Sequence, residues 1–572
     1  MMLTITALFH ATTPSCIISP HVDRHVVRSA MDASITPVVG WIISPGCATL
    51  QSKFSYNMVA AAPTAGPIIA FEGLNQSEGI IWPTAQKSLA YGTVYDFFAT
   101  VTFANGVVAE GSTTFLTELD PSTLAAAQPM WHANDSATYV LLRASITAAA
   151  EANTAGGGEQ HTYLTITAKP APAWNMPHGV NSSHLLCSYK LWVNGVPLGV
   201  GPGRNVGGEI QADTYNLTAL LAMRGGGEAS AIAVSAYYLA HGATPDGGSG
   251  QPQSTDDHGG VLAVLHSGSD AAGNVGANIR TLEWSAFDAT IATHPSIGTF
   301  KHGDGTGSYL SPRENYLGAH YPFGWRQQLS SQTDAYKHGW SPAKARAPFA
   351  RMVGPKRAIP VSLRAIPAAS FTMLPPATPM TYRYIIDYGR NFQGHVNLSF
   401  GSANIVPGHQ VIVRLGEQLL TNGSVKWVSE STNRWNDVWT LRGGSRNLPS
   451  SSSSASAAAQ QLLPLETYVP HEYAEFRWAE VIDAPEPPTH ALLAGWQVHY
   501  AFDGEMNENG LVVAPAMSAY SVPSATNGLT SFDATDADLV AVWDLVKHTI
   551  NVAALDLNTD SNTRQRDLCT LD

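Results

Sequence analysis

Five charged side chains crowd the stretch Asp560-Ser-Asn-Thr-Arg564-Gln565-Arg566-Asp567-Leu-Cys569-Thr-Leu-Asp572. Only 13% of the 572 residues are Asp, Glu, Lys or Arg, against a usual share of about 25%. A carboxylate accepts hydrogen bonds from two adjacent hydroxyls, and a guanidinium donates in a rigid fork. A pocket for a sugar or a phosphate would need both groups. Taken alone, Asp560, Arg564 and Asp567 could equally form a salt-bridge net at the end of a helix.

The element ahead of this cluster has a helical period. Leu539, Val542, Trp543, Val546 and Ile550 recur at three- and four-residue spacing, which is one face of a helix. Thr535, with Asp538 three residues on, is a capping signal for its start. One amphipathic helix cannot bury its own stripe, so a helical domain is expected to begin within 525–572 and to remain incomplete in this chain.

Everything before the helix reads as β. Apolar residues alternate in Phe54–Val59, Val94–Phe103, Tyr139–Arg143, Tyr163–Thr167 and Tyr189–Val193, and again in Tyr384–Tyr388, Gly394–Phe400, Gln410–Leu415 and Phe476–Val481. Asn105-Gly106, Asn194-Gly195 and Pro407-Gly408 mark turns between runs. The expected fold is mainly β, a succession of sandwiches. Residues 1–37 show no period and are expected to be unordered or a targeting segment. An immunoglobulin- or fibronectin-like sandwich is expected over 38–120, a second sandwich with long loops over 128–375, and a third over 376–505. A Ser/Ala-rich insert interrupts the third at 450–461.

Composition excludes several functions. The net charge of −13, with no basic stripe, argues against nucleic acid or an anionic membrane surface as partner. No apolar run reaches the roughly 18 residues of a helical membrane span. Cys16, Cys47, Cys187 and Cys569 form no CxxC pair, so neither a zinc site nor a disulfide scaffold is expected. His241, His258 and His266, in or near a Gly/Ser/Asp-rich loop, read as solvated rather than metal-bound. Gly201-Pro-Gly-Arg204-Asn-Val-Gly207-Gly208 lacks the Lys of a phosphate loop. No metal or other cofactor is expected. The N-terminus has a short apolar stretch without a basic region, and six Asn-x-Ser/Thr sites permit secretion without requiring it, so secreted and cytoplasmic locations both stay open.

Three segments resemble one family, the α-L-rhamnosidases of glycoside hydrolase family 78. Tyr189-Lys-Leu-Trp-Val-Asn-Gly195 with Asp213-Thr-Tyr-Asn-Leu-Thr-Ala-Leu-Leu221 is similar to the family's sugar-binding-like sandwich. Asp387-Tyr-Gly-Arg-Asn391-Phe-Gln-Gly394, Gly416-Glu417 and Phe476-Arg477-Trp-Ala-Glu480 are similar to its next sandwich. Phe532 through Arg564 looks like the opening of its (α/α)6 catalytic barrel. The order of the segments, over roughly residues 40–572, is more specific than any one of them. The resemblance implies a carbohydrate partner, a rhamnosylated glycan or glycoside, and an inverting hydrolysis. Inversion needs two carboxyl groups, about 6.5–9.5 Å apart, one to protonate the leaving oxygen and one to activate a water.

Residue by residue, the resemblance assigns Asp560, Arg564 and Asp572 to sugar binding. The family's general acid falls at Gln565 or Arg566 here, and neither donates a proton at neutral pH. Asp567, just beyond, is the candidate substitute acid. The resemblance places the general base beyond these residues. Asp387, Glu417 and Arg477 read as residues of strand packing or domain contact. Eight tryptophans (Trp131, Trp192, Trp325, Trp427, Trp435, Trp439, Trp478 and Trp496) could be sugar platforms, although core packing is the usual role in a sandwich. Three readings therefore stand: a rhamnoside hydrolase, a binding or scaffold protein derived from one, and a fragment. The fragment reading expects this chain to be inactive. Oligomeric state is not legible.

Overall fold

In the computed structural model, the residues described are 18–22, 30–31, 38–43, 51–60, 69–73, 80–81, 89–146, 162–169, 187–202, 210–222, 229–238, 259–267, 279–280, 282–290, 315–326, 339–349, 353–355, 361–400, 405–428, 435–443, 466–471, 473–488, 493–500 and 536–553. They fall into two compact units.

The smaller unit holds residues 1–118, 268–278 and 518–544. Its main sheet has five strands, built on antiparallel pairing of Gln51–Ala60, Val94–Phe103 and Val108–Thr117. Phe97, Val101 and Phe103 are buried, while Phe98 between them is exposed, the period-2 alternation of a half-buried strand. Asn105-Gly106 makes the expected turn: Gly106 has φ +82°, and Asn105 Oδ1 accepts from Val107 N at 3.1 Å. Within 1–37, expected to be unordered or a targeting segment, two short strands are described. Ile18–Val22 pairs antiparallel with Val38–Ile43, and Ala30–Met31 pairs with Leu116–Thr117. These strands were invisible to periodicity because they are short and depend on distant partners. Pro20 is tolerated because its strand lies at a sheet edge.

The larger unit (119–267, 279–517 and 545–572) is built on one 15-stranded sheet and a seven-stranded one. The long sheet runs through both the second and the third expected sandwich. Two cores lie on its opposite faces. From Tyr139–Ile146, the residues Val140, Leu142 and Ala144 face one core, while Tyr139 and Leu141 face the other. Strand Ser230–Tyr238 is buried along its whole length, with Ile232, Val234 and Ala236 in the first core and Ala233 and Tyr237 in the second. The first core is closed by Leu164, Ile166, Val261 and Leu265 of the seven-stranded sheet. Asn194-Gly195 forms a two-residue hairpin with φ +52° and +81°, the doubly left-handed turn whose twist matches paired strands.

Two expected strands, Tyr384–Tyr388 and Gly394–Phe400, are one strand, Tyr382–Phe400, of 19 residues. It does not pair with Gln410–Gly416 across the Pro407-Gly408 turn. Ala474–Ala484 lies between them. Gly394, inside the long strand, is required by close packing: a Cβ there would lie 1.9 Å from the Trp496 carbonyl oxygen.

His266 is not a solvated loop residue. It sits in strand Val261–Ser267, its ring stacked on Tyr163 and its Nε2 3.0 Å from Thr165 Oγ1. Burial lowers its pKa to about 4. Burial also holds His395 and His471 well below the ordinary range, with Lys190 a further cause. His241 and His258 lie outside the described residues, as do 203–209 and the 450–461 insert. Among the described residues there is no group of three or more potential metal ligands, and no helix long and apolar enough to cross a membrane.

Two outcomes follow. Gly394→Ala should lower the unfolding free energy by about 3 kcal/mol or more; an unchanged urea midpoint would contradict this strand placement. Because the buried histidines are neutral when folded, their stabilisation is complete above the unfolded pKa near 6.5 and falls as pH drops toward the folded value. For His266 the window runs from 6.5 to about 4, and the loss is on the order of 3 kcal/mol. Urea titrations at pH 7.5, 5.5 and 4.5 should show stability declining stepwise, and His266→Gln should flatten part of the slope.

Candidate functional site

The residues the sequence assigned to chemistry at the charged cluster (Asp560, Arg564, Gln565, Arg566, Asp567 and Asp572) lie outside the described residues. The structure does describe the sandwich surface and the helix that precede them.

At Asp387 the long strand leaves its ladder. Asp387 pairs with Trp478 and Phe392 with Phe476, so four residues, Tyr388 to Asn391, oppose Arg477 alone. Such a bulge needs one residue of unusual backbone, and Gly389 supplies it at φ +83°. Gly389 N donates to Asp387 Oδ1 at 2.7 Å. Arg477 closes the bulge from across the sheet with a two-pronged pair, Nε to Asp387 Oδ1 at 2.8 Å and an Nη to Oδ2 at 2.9 Å. The guanidinium carbon lies 4.2 Å from the centre of the Trp478 ring, a cation–π contact. Tyr388 turns inward, edge-on to Phe392 and Phe476.

The carboxyl groups differ in what they can do. The Arg477 hydrogen bonds hold Asp387 below the usual carboxylate range, so it stays ionised and is no proton donor at neutral pH. Burial raises Glu417, whose Oε1 accepts from Asn391 Nδ2 at 3.1 Å. Glu480 is fully buried and paired with Arg383, and its Oε2 also accepts from Val425 N at 3.2 Å. These are positioning interactions, in keeping with the packing role read for Asp387, Glu417 and Arg477.

Behind the bulge sits the helix Ala537–Ala553. At its start Asp536 Oδ1 accepts from Asp538 N at 2.9 Å; Thr535, the expected cap, lies outside the described residues. From Leu545 on it belongs to the larger unit. His548 Nε2 donates to the Asn391 carbonyl at 2.8 Å, Gln393 donates its amide to the Val552 carbonyl, and Val552 is buried in the core with Tyr388 and Phe392. Of the predicted apolar stripe, Leu539, Val542, Val546 and Ile550 are 46 to 56% exposed. Sequence reasoning missed Asn391, Gln393, His548 and Val552. A faint signal was available, since His548 and Val552 are four apart and so share a helix face.

Of the eight tryptophans, Trp131, Trp192, Trp325, Trp435 and Trp439 are buried core residues. Trp427, Trp478 and Trp496 are half-buried, and Arg414 covers the Trp427 ring at 5.0 Å.

Residues 378–499, which contain the bulge and the strand Ala474–Ala484 opposite it, match the family model of the bacterial alpha-L-rhamnosidase concanavalin-like domain. The chain carries a rhamnosidase-family concanavalin-like domain. No curated protein sequence matches the chain significantly. Three solved α-L-rhamnosidases share its fold. The Dictyoglomus thermophilum enzyme superposes with a TM-score of 0.59 at 14% identity, covering 96% of this chain and 53% of its own. The Aspergillus terreus enzyme gives 0.55 at 15% identity, covering 86% and 50%. The Streptomyces avermitilis enzyme complexed with L-rhamnose gives 0.52 at 14% identity, covering 96% and 61%. The chain thus spans about half to three fifths of the length of these structures. In the concanavalin-like domain, the Asp387–Arg477 pair should show coupling on the order of 1–2 kcal/mol, measured by urea denaturation of Asp387→Asn, Arg477→Met and the double variant at pH 7. The coupling should fade as acid protonates Asp387, because a carboxyl whose folded pKa is depressed contributes stability only while it is ionised.

Proposed function

We propose that the chain is the sandwich portion and barrel opening of an α-L-rhamnosidase-type glycoside hydrolase that recognises terminal α-L-rhamnose on glycosides or glycans. The supporting observation is the concanavalin-like match over 378–499, followed in sequence by the helix and the Asp560/Arg564 cluster. The domain division given above, and the reading of 525–572 as the start of an (α/α)6 barrel, belong to this proposal. Asp560, Arg564 and Asp572 would hold the sugar hydroxyls by charge-assisted hydrogen bonds. The L-rhamnose in the Streptomyces structure agrees in kind with that ligand.

A second reading has one residue in its favour. Gln565 stands at the acid position and cannot protonate a leaving oxygen, so this chain would bind rhamnosides without cleaving them. Asp567 is the one nearby group that would restore an inverting mechanism.

Calorimetry with L-rhamnose and rhamnosylated oligosaccharides should show binding that Arg564→Ala weakens at least tenfold. Absence of binding across the panel would remove the proposal. Purified protein should release no p-nitrophenol from p-nitrophenyl α-L-rhamnoside. Release that disappears in Asp567→Asn would instead make Asp567 the acid and the chain a hydrolase.

A further inference from the structure

The 15-stranded sheet ends on Tyr139–Ile146, Trp284–Asp288 and Trp340–Pro342. Residues directly opposite in an antiparallel ladder share a face. Leu141 is opposite Phe287, and Phe287 is opposite Trp340. Two residues along, Trp192, Ala233, Arg143 and Ser285 form a row across four strands. Toward the middle of the sheet this face is closed: Trp192, Ala233 and Leu141 are buried in one core with Trp325. Toward the edge it opens. Arg143, Phe287 and Trp340 are half-buried, and Ser285 is exposed.

Aromatic rings line this edge. Their centres are 5.6 Å apart for Phe287 and Trp340, 6.4 Å for Trp340 and Trp325, and 5.7 Å for Trp325 and Trp192. Gly339 lets the edge strand close on the Phe287 ring: its φ is +88°, and a Cβ there would lie 2.7 Å from Phe287 Cε2. Arg326, also half-buried, places its guanidinium carbon 5.0 Å from the Trp192 ring centre and 6.0 Å from that of Trp325.

The charge here is one-sided. Neither the Arg143 nor the Arg326 guanidinium has an ion pair or hydrogen bond among the described residues. Burial alone lowers the pKa of Arg143; a carboxylate beside it would act in the opposite direction. Asp288 of the neighbouring strand is opposite Val140, on the other face, and accepts from Asn134 Nδ2 at 2.9 Å. A guanidinium drawn from water without a partner is unfavourable, and its fork is open to a carboxylate. Arg143 and the Trp192 that Arg326 covers stand two strands apart, about 10 Å at ordinary strand spacing. That is the scale of one substituted pyranose ring.

We propose that this sheet edge binds a sugar bearing a carboxylate, a hexuronate unit. Trp340 and Phe287 offer the apolar shelf for the C–H face of the ring, and Arg143 and Arg326 take the carboxylate. The rings distinguish such a site from one for a bare anion. The site uses none of the Asp560–Asp572 cluster, so it stands apart from the rhamnose reading.

The test is calorimetry on the full chain with methyl β-D-glucuronide and methyl β-D-glucoside, which differ only at the carboxylate. The glucuronide should bind about tenfold more tightly or better. Arg143→Met and Arg326→Met should each abolish that preference and leave the glucoside unaffected, whereas Trp340→Ala should weaken both sugars. Acetate, inorganic phosphate and methyl α-L-rhamnoside should not displace the glucuronide at equal concentration. Urea denaturation supplies a second readout. Without ligand, Arg143→Met should be at least as stable as the parent, because it removes an unpaired cation. Saturating glucuronide should raise the midpoint of the parent and not that of the variant. Absent glucuronide binding, equal binding of the two sugars, or affinity indifferent to both arginines overturns the proposal. Displacement by acetate or phosphate overturns the sugar assignment, and displacement by the rhamnoside overturns the separateness of the site. A lower ligand-free midpoint for Arg143→Met overturns the part given to Arg143 and makes it a structural residue.

Discussion

The larger unit depends on a sheet covered on both faces. Two sandwiches share it because Val196–Gly201 pairs with Val361–Ile366, at Gly199 with Ser362 and Val200 with Val361. That short join carries the ladder from one half to the other. It tolerates no side chain at Gly199, where a Cβ would lie 2.6 Å from the Val361 carbonyl oxygen and 2.3 Å from the Tyr215 hydroxyl. Once the halves are joined, a central strand has no solvent face to give to polar residues, which is why Ser230–Tyr238 is buried from end to end.

Burial on both faces also dictates how polar groups are treated. The loop at Val469–His471 is tied down at three points: Tyr316 donates to the Val469 carbonyl at 2.9 Å, Lys190 Nζ to the Pro470 carbonyl at 2.7 Å, and Ser235 Oγ lies 3.3 Å from His471 Nδ1. A buried ammonium is costly unless hydrogen bonds compensate it, and here it receives a main-chain oxygen. The same surroundings keep His395 and His471 neutral. Within the concanavalin-like domain, the larger of the two register shifts between Tyr382–Phe400 and Ala474–Ala484, the bulge at Tyr388–Asn391, is where the helix is received.

Much of this was legible because strand periodicity is local. The alternation in Tyr139–Arg143, Tyr163–Thr167 and Phe476–Val481 gave strands in the right places, and Asn105-Gly106 and Asn194-Gly195 gave their turns, since both depend on side chains a few residues apart. Asp387-Tyr-Gly-Arg-Asn-Phe-Gln-Gly pointed to the rhamnosidase sandwich, with Asp387, Glu417 and Arg477 read as packing residues. What failed depended on distant partners. His266 looked like a loop histidine until strand Thr162–Ala168 was laid beside it. The stripe Leu539–Ile550 was expected to find no partner in this chain, and periodicity gave no sign that the helix is held instead by His548 and Val552, whose partners lie more than 150 residues away.

The sequence by itself determined that the chain is mainly β, that it is poor in charge except at one cluster, and that the segment around Asp387 and Arg477 resembles a rhamnosidase sandwich. These properties are written in residue type and short spacing. Tertiary structure alone decided that the two sandwiches share one sheet, that five of the eight candidate tryptophans are core residues, and that the motif at Asp387 is a bulge locked by Arg477. Each of these depends on which strands become neighbours. Neighbours in a sheet are chosen by the joint burial of residues far apart in the chain, a quantity no local pattern contains.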